Sequence, residues 1–447
     1  MKLTYNIKDR PKFGQLIVFA IQQLLAIMAA TIAVPAIVGN GMQQTAAMFG
    51  AGVGTLVYVL FTKAKSPVFL GSSFAFIGSM SAAFAGAVSV SAGYTGLIIG
   101  AVFAGLVYVV IALIVKFAGV AWIDKLMPKQ VIGPTVAIIG LGLAGSAISN
   151  LNAGGYLVND VPTAYPLLAV FCGLFGLIVT MLCSVYGNKN IKLIPFIIGI
   201  VAGYAMCAIF TVIGIATGND GLKLIDFSHF QGIGLFTLPK FTFLEAMKGV
   251  KDVDGAYIGT VALAYMPVAF VVFAEHIADH KNISSIIETD LLEEPGLHRT
   301  LLGDGVGSMA GAIFGGCPNT TYGESVACVA ISGNASVATI ITTAILAMLI
   351  AFVSPFVAFV ESIPSCVMGG VCMALYGFIA VSGLKMVQKV DLEDNRNLFT
   401  VSAILIAGIG GLVLDFGKIQ ITAVATALIL GILVNLILNA GNKKEVK

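Results

Sequence analysis

The stretch Gly315-Gly-Cys-Pro-Asn-Thr-Thr-Tyr-Gly-Glu324 interrupts the tenth of a long series of apolar segments. Glycine pairs and proline are poor helix formers, so this stretch predicts irregular backbone that gives way to a short helix. A second break of the same kind, Pro67-Val-Phe-Leu-Gly-Ser-Ser73, opens the third segment. The chain therefore combines many full apolar segments with two that begin as something other than a helix.

The composition places these segments in a membrane. Of 447 residues, 58% are hydrophobic and only 10% are charged, whereas a soluble domain carries roughly 25% charged residues. The 52 glycines suit helices that pack closely within lipid. We expect an all-α polytopic membrane protein and not an enzyme, and the scattered basic residues form no nucleic-acid-binding face.

Cysteine and nucleotide motifs give no sign of a metal, a cofactor or a catalytic centre. The seven cysteines form no CxxC or Cys/His ligand spacing, and their odd number argues against a disulfide framework. The region Gly411 to Lys418 has the wrong spacing for a phosphate-binding loop. The run Gly140-Leu-Gly-Leu-Ala-Gly145 fits a dinucleotide fingerprint, but it lies inside an apolar segment, which favours helix packing.

Segments of about the length needed to cross hydrocarbon recur throughout the chain. We place fourteen of them, at 13–38, 45–62, 67–90, 94–117, 131–150, 163–185, 191–216, 256–278, 300–315, 322–333, 336–358, 364–384, 398–414 and 420–438.

The long loop 217–255 divides these segments into seven and seven. An odd number in each half makes the second half insert upside down relative to the first. The interrupted third and tenth segments then occupy corresponding positions, which is typical of the central binding site of a secondary transporter. The pattern predicts a carrier but not its substrate.

The basic residues predict the orientation. With the N-terminus in the cytoplasm, 19 of the 24 Lys and Arg residues lie inside. The five exceptions are Lys223, Lys240, Lys248, Lys251 and Lys418, and four of them share one long loop, where the rule is weak. Both termini are therefore expected in the cytoplasm.

Carboxylates within the apolar segments are candidate site residues. A charge at the bilayer centre costs about 2.5–3.5 kcal/mol or more, so Glu275 and Glu324 are expected to line a cavity. The alternative is that either one caps a helix near the interface. Asp279 lies one helical turn after Glu275, where two like charges repel and one of them tends to hold a proton. Asp279 in cytoplasmic water is the alternative.

Other polar residues near these carboxylates have simpler interpretations. His276 points about 100° away from Glu275 on a helix, and a structural hydrogen bond is expected for it. Asp304 is interpreted as a helix-terminus residue. The half-helix starts near Phe74 and Gly323 should present unpaired N–H groups to a planar polar ligand. Phe74 would cover the face of that ligand, or else pack against lipid or core.

Four motifs resemble one known family, the nucleobase–ascorbate transporters, also called the nucleobase:cation symporter-2 family. They are Ala274-Glu-His-Ile, Pro295-Gly-Leu-His-Arg, Pro318-Asn-Thr-Thr-Tyr-Gly-Glu and Gly71-Ser-Ser-Phe-Ala-Phe. The resemblance covers essentially the whole chain, and its pattern is most similar to the bacterial uracil permeases within the family. The string Asn-Thr-Thr-Tyr-Gly-Glu is its most specific part.

The resemblance implies fourteen segments in two inverted repeats, with short strands at about 67–72 and 316–321 before the half-helices. It also implies a core domain, which carries the substrate, beside a gate domain. The implied parts are core at 1–127 and 256–362, gate at 128–220 and 363–447, and an extracellular loop at 221–255.

The resemblance also implies roles for individual residues. Glu275 and Glu324 would bind the N–H groups of uracil, and the backbone amides of Phe74 and Gly323 would bind its carbonyls. The pocket would be lined by Ala30, Tyr322 and Tyr376, and Asp279 would couple the proton. Glu275 is the expected proton carrier, and a homodimer through the gate domain is implied as well.

Two positions depart from the family pattern. Relatives often have Gln-His where this chain has Gln22-Gln23. Some relatives have His at the proton-linked position, which is Asp279 here. The prediction is a proton-coupled uracil symporter of the bacterial cytoplasmic membrane. A xanthine or purine symporter and an anion exchanger of the same architecture are the alternatives.

Overall fold

The computed structural model describes residues 3–153, 157–158, 161–162, 164–415 and 420–440. Five lysines that enter the predicted orientation lie outside these residues. They are Lys2, Lys418, Lys443, Lys444 and Lys447.

The described chain is mostly helical. The first half contains α1 (Phe13–Val38), α2 (Gln44–Phe61), α3 (Ile77–Ala85), α4 (Val90–Ala118), α5 (Ala121–Leu126), α6 (Lys129–Gly142), α7 (Ala144–Asn152), α8 (Pro166–Tyr186) and α9 (Pro195–Thr217). The second half contains α10 (Thr242–Gly249), α11 (Gly255–Ile287), α12 (Leu297–Gly315), α13 (Gly323–Ser332), α14 (Val337–Ile350), α15 (Ser354–Glu361), α16 (Ser365–Val387), α17 (Asn395–Ile409) and α18 (Ala423–Asn439).

Three pairs of short strands accompany the helices. They are β1 (Leu70–Ser72) with β4 (Asn319–Thr321), β2 (Leu157–Val158) with β3 (Val161–Pro162), and β5 (Leu414–Asp415) with β6 (Gln420–Ile421).

With α6 and α7 taken as one segment and the short helices α5, α10 and α15 left out, the eighteen helices of the described chain form fourteen segments in two inverted repeats of seven. The predicted fold class is confirmed. Among the described residues, eight helices are long and apolar enough to cross a bilayer, with α6 and α7 counted as one. Large apolar side chains cover the outside of the bundle; Leu167 is 85% exposed and Phe117 is 81% exposed. A soluble protein would bury such side chains, whereas here they face hydrocarbon.

The two interrupted segments meet in the interior of the protein. Strands β1 and β4 pair antiparallel, with Leu70 opposite Thr321 and Ser72 opposite Asn319. This pairing matters because backbone polar groups within a membrane need partners inside the protein. A 3-10 turn at Phe74–Phe76 and then α3 follow the first strand, and α13 follows the second.

Glycines allow the closest helix packing around this strand pair. A Cβ atom added to Gly54 of α2 would lie 2.8 Å from the carbonyl oxygen of Gly307 in α12. A Cβ atom on Gly311 would overlap the side chain of Asn319 in β4. Backbone contact of this kind is how membrane helices associate without a hydrophobic driving force.

Helix contacts fall into two sets. Helix α12 packs against α2 and α4, and α11 packs against α4, whereas α16 packs against α6, α7 and α8. Helix α11 also contacts α6, so the two sets meet there. The division of the chain into core and gate domains stays a prediction.

Candidate functional site

The site begins at the starts of the two half-helices. The 3-10 turn begins at Phe74 and α13 begins at Gly323. The first N–H groups of a helix lack acceptors within it, and its N-terminal end carries partial positive charge. Because β1 and β4 are paired, both helix starts lie at one place within the bundle.

Tyr322 connects the two irregular stretches. Its hydroxyl donates a hydrogen bond to the carbonyl oxygen of Ser72 at 2.8 Å. Its ring lies over Gly71, where a Cβ atom would overlap the ring. A side chain at position 71 would therefore displace Tyr322 from between the two half-helices.

A small cavity lies at this junction. It measures about 30 Å³, room for one or two water molecules. Its lining residues come from both half-helix regions, from α11 and from two other helices, and they are Ser73, Phe74, Ala75, Ile139, Glu275, Thr320, Tyr322, Gly323, Glu324 and Ile379.

The two predicted glutamates come together at this cavity. Glu275 reaches it from α11 and Glu324 from the first turn of α13. Both side chains are half-buried. The arrangement places two carboxylates beside the starts of two helices. The carboxylate oxygens can accept hydrogen bonds, and the N–H groups at the helix starts can donate them.

Asp279 is buried beside the cavity. Its Oδ2 accepts a hydrogen bond from the Thr321 hydroxyl at 2.9 Å. Its Oδ1 would lie 3.8 Å from a Cβ atom added to Gly323. The side chain is 8% exposed, so the alternative of Asp279 in cytoplasmic water is wrong.

The remaining predicted residues differ in their position. Phe74, Tyr322 and Gly323 line the cavity. Tyr376 does not line it but packs edge-on against Phe74, with 5.6 Å between ring centroids. Ala30 is fully buried in α1 and is also absent from the lining.

Five lining residues were not predicted. Ser73 and Thr320 lie inside the two broken stretches, and Ala75 follows Phe74, so proximity to the motifs could have identified them. Ile139 of α6 and Ile379 of α16 are ordinary apolar residues of spanning helices. No sequence signal distinguishes them, because only the packing of α6 and α16 beside the half-helices places them here.

Gln23 has a structural role that the sequence did not predict. Its Nε2 donates to the Ser325 hydroxyl at 2.6 Å, next to Glu324. The same hydroxyl accepts a bond from the backbone N–H of Phe69 at 3.0 Å. Gln23 therefore ties α1 to the first turn of one half-helix and, through Ser325, to the stretch before the other.

Asp304 is not a helix-terminus residue, and that prediction is wrong. It lies two turns inside α12 and is 1% exposed. Its Oδ2 lies 2.6 Å from Nδ1 of His276, whose other ring nitrogen lies 3.0 Å from the Thr300 hydroxyl. The structural hydrogen bond expected for His276 is thus present, and its partner is Asp304 of α12.

A bundle of inverted repeats with a polar cavity between two half-helices defines a membrane carrier. The family model Xan_ur_permease, described as a permease family, matches residues 14–416. The chain therefore belongs to this family, the nucleobase:cation symporter-2 transporters, as its motifs predicted. Permeases are transporters, so the expectation of a carrier instead of an enzyme is confirmed.

Individual relatives match over nearly their whole length. The uracil permease of Bacillus caldolyticus is 40% identical over 98% of this chain and 95% of its own. The uracil permease of Escherichia coli K12 is 33% identical over 97% of this chain and 93% of its own.

Solved structures share the fold at low identity. The transmembrane domain of the cyanobacterial bicarbonate transporter BicA has a TM-score of 0.61 and 16% identity, covering 97% of this chain and 99% of that one. The murine Slc26a9 anion transporter in the inward-facing state has a TM-score of 0.63 and 10% identity, covering 98% and 70%. These likenesses concern the architecture alone.

Proposed function

We propose that this protein imports uracil together with protons across the bacterial cytoplasmic membrane. The observation that carries the proposal is the convergence of Glu275, Glu324 and two half-helix starts on one cavity. The uracil permeases among its full-length relatives support the choice of ligand.

Uracil presents two ring N–H donors and two carbonyl acceptors in one plane. Glu275 and Glu324 accept from the N–H groups, and the backbone amides of Phe74 and Gly323 donate to the carbonyls. A buried polar group left without a partner costs about 1–3 kcal/mol. A base with a different donor pattern is therefore rejected by the groups it leaves unpaired.

Aromatic rings complete the binding site. Phe74 covers one face of the uracil ring, and Tyr376 supports Phe74 from behind. Tyr322 holds the two half-helices together beneath the ligand. Ala30, in the neighbouring α1, keeps that helix close because it has no larger side chain.

Proton coupling follows from the acids on α11. Glu275 and Asp279 are one turn apart, and no Lys or Arg in the described part of the chain forms an ion pair with either. A proton on Glu275 removes the repulsion between them and prepares the site for a neutral ligand. Loss of that proton on the cytoplasmic side then favours release.

Alternating access requires movement at the cavity. A space of about 30 Å³ is too small for a pyrimidine ring, so the walls must separate to load or release it. Ile139 and Ile379 form the wall of the cavity that belongs to the proposed gate domain, which comprises 128–220 and 363–447. Rocking of the core domain, at 1–127 and 256–362, against this gate opens the site to either side. Both termini lie in the cytoplasm, and two copies associate through the gate.

Uptake of labelled uracil into proteoliposomes tests the proposal. An inward proton gradient should drive accumulation above the external concentration, a protonophore should abolish it, and excess xanthine should not compete. Glu275→Gln should lose accumulation. Uptake that ignores the gradient would exclude proton coupling, and competition by xanthine equal to that by uracil would exclude pyrimidine selectivity.

A further inference from the structure

A second, larger cavity lies on the side of the protein where α1 begins. It measures about 480 Å³, within the range of about 300–1,000 Å³ that is typical of small-molecule sites. Its lining includes Gln15 and Gln22 of α1, Lys189 and Asn190 of the α8–α9 loop, and Ser332 of α13. Gln15, Lys189 and Asn190 are exposed, so this outer cavity opens to solvent. The proposed uracil contacts use none of these residues.

Helix α13 connects the outer cavity to the cavity between the half-helices. Glu324, in its first turn, lines the cavity between the half-helices, and Ser332, its last residue, lines the outer cavity. Eight residues of an α-helix rise by about 12 Å, so the two cavities lie only a short distance apart. Cys328 lies midway, four residues from each, and residues four apart lie one above the other on a helix. The atoms packed against Cys328 therefore separate the two cavities.

A small apolar cluster fills this boundary. Ala26 of α1, Leu193 of the α8–α9 loop and Cys328 pack together, and they are 6%, 5% and 4% exposed. Leu193 also lines the outer cavity, as does Gln22, one turn before Ala26 on α1. These three packed residues, the plug, thus form the inner wall of the outer cavity. Leucine is the largest of the three, so it contributes most of the apolar surface that keeps the plug closed.

The loop that carries Leu193 has a defined shape. The backbone N–H groups of Asn190 and Ile191 both donate to Oδ1 of Asn188, each at 3.1 Å. A 3-10 turn follows at Ile191–Leu193, and Pro195 then begins α9. This turn contacts both α1 and α13. Leu193 is therefore held by its own loop and by α9, and it stays with them when α1 and α13 move.

We propose that the outer cavity is the exit of uracil toward the cytoplasm and that Leu193 closes it from the binding site. The inference rests on the proposed uptake of uracil, in which the side where α1 begins is cytoplasmic. Leu193 belongs to the proposed gate domain, whereas Ala26 and Cys328 belong to the proposed core domain. Rocking of the core against the gate draws Ala26 and Cys328 away from Leu193. Uracil released from Glu324 then passes Cys328 and enters the outer cavity.

The rate at which N-ethylmaleimide modifies Cys328 in the purified protein measures the opening of the plug, and mass spectrometry identifies the modified cysteine. Leu193→Ala should raise this rate by roughly tenfold or more, since the loss of a buried leucine side chain weakens a closed contact by at least that factor. Leu193→Val removes one carbon atom and should give a smaller rise. Leu151→Ala is the matched control, because Leu151 of α7 is also 5% exposed and lies outside the plug. Its Cys328 should react at the wild-type rate.

Exchange of labelled uracil across proteoliposomes shows whether Cys328 lies on the exit path. After treatment with N-ethylmaleimide, Leu193→Ala protein should exchange uracil roughly tenfold more slowly than the same protein untreated, because an adduct on Cys328 fills a closely packed passage. The double variant Leu193→Ala, Cys328→Ser cannot form this adduct. Treatment should therefore leave its exchange at the rate of the same double variant untreated, whichever other cysteines react.

The outcomes separate this inference from the function on which it rests. If wild-type protein exchanges no uracil, the proposed function fails, and the exit fails with it. If wild-type protein exchanges uracil but Cys328 reacts equally fast in Leu193→Ala and Leu151→Ala, only the inference fails. Where Leu193→Ala does not fold, Leu193→Val decides by the same comparison. Undiminished exchange after modification of Cys328 also contradicts the exit path.

Discussion

At the scale of single residues, the site depends on acids that have no cationic partner. Glu275 and Glu324 enter one cavity from α11 and α13, and neither forms an ion pair with a Lys or Arg of the described chain. Two carboxylates in such a place gain little from the protein and much from a ligand that brings N–H donors. Their position is therefore better explained by binding than by stability.

Glu324→Gln should weaken uracil binding by roughly 10-fold to 100-fold, because an amide oxygen is a weaker acceptor and its NH₂ group opposes the ring N–H. Calorimetry on the purified protein measures the change. Glu361→Gln is the matched control: Glu361 accepts a bond from Gln43 at 2.8 Å and does not line the cavity. An equal loss of affinity in both variants would show that Glu324 has no special contact with the ligand.

Gln23→Leu should lower both thermal stability and uracil affinity. The variant loses the 2.6 Å bond to Ser325, worth about 1 kcal/mol, at the residue that follows Glu324. The expected loss of affinity is a few-fold, because Glu324 remains present but is less well held. Gln22→Leu is the control, since Oε1 of Gln22 has no partner in the described chain. Unchanged binding and melting in Gln23→Leu would contradict this role.

At this scale the sequence singles out residues that are chemically unusual for a membrane, and their role in binding stays a prediction. Glu275, Glu324 and Asp279 are conspicuous in apolar segments, and the structure brings all three to one place. Asp304 was misjudged because its helix begins at Leu297, earlier than the apolar run suggests. Ile139 and Ile379 could not be found, since an isoleucine facing a cavity and one facing lipid look alike in the sequence.

At the scale of secondary structure, the two half-helices are held by a strand pair and by glycines. The strand pair β1–β4 crosses beside α12, whose glycines let α2 and β4 approach it closely. Asn319 of β4 fills the space that a side chain on Gly311 would need. The position of both half-helix starts consequently depends in part on glycines of α2 and α12 that do not line the cavity.

Gly311→Ala should destabilise the protein by about 1–3 kcal/mol, the usual cost of overpacking a well-packed interior. The added methyl group would overlap Asn319, so strand β4 or helix α12 must shift. Gly377→Ala, within α16, is the control, because a Cβ atom there meets nothing within 4 Å. Thermal melting in detergent compares the two, and equal melting temperatures would contradict the packing argument.

The short elements show the limits of sequence prediction. Proline and glycine at positions 67 and 71, and again at 316 and 318, signalled that the segments start irregularly, and the structure has a strand and a helix start after each signal. The strands are shorter than expected, with three residues each at Leu70–Ser72 and Asn319–Thr321. One further backbone hydrogen bond extends the pairing at each end, from Ser73 to Pro318 at 2.9 Å and from Tyr322 to Phe69 at 3.3 Å. Pairing depends on contact between distant parts of the chain, and no local pattern encodes its length.

At the scale of the whole molecule, the inverted repeat places two similar half-helix starts at one cavity, as the proposed binding of one flat ligand requires. Each half supplies a broken segment, and the opposite insertion of the halves turns their half-helix starts toward each other. The count of seven segments in each half was sufficient to predict this relation. The small size of the cavity, about 30 Å³, was beyond prediction because it depends on how closely α6 and α16 approach.

In the proposed site each half of the protein provides one carboxylate for the same nucleobase ring. Binding of 1-methyluracil and 3-methyluracil, measured by calorimetry beside uracil, tests it most directly, because each methyl group removes one of the two ring N–H donors. Each methylation should weaken binding by roughly tenfold or more, since one glutamate then has no donor. Binding of either methylated base as tightly as uracil would contradict this site, because one of the two glutamates would then have no contact with the ring.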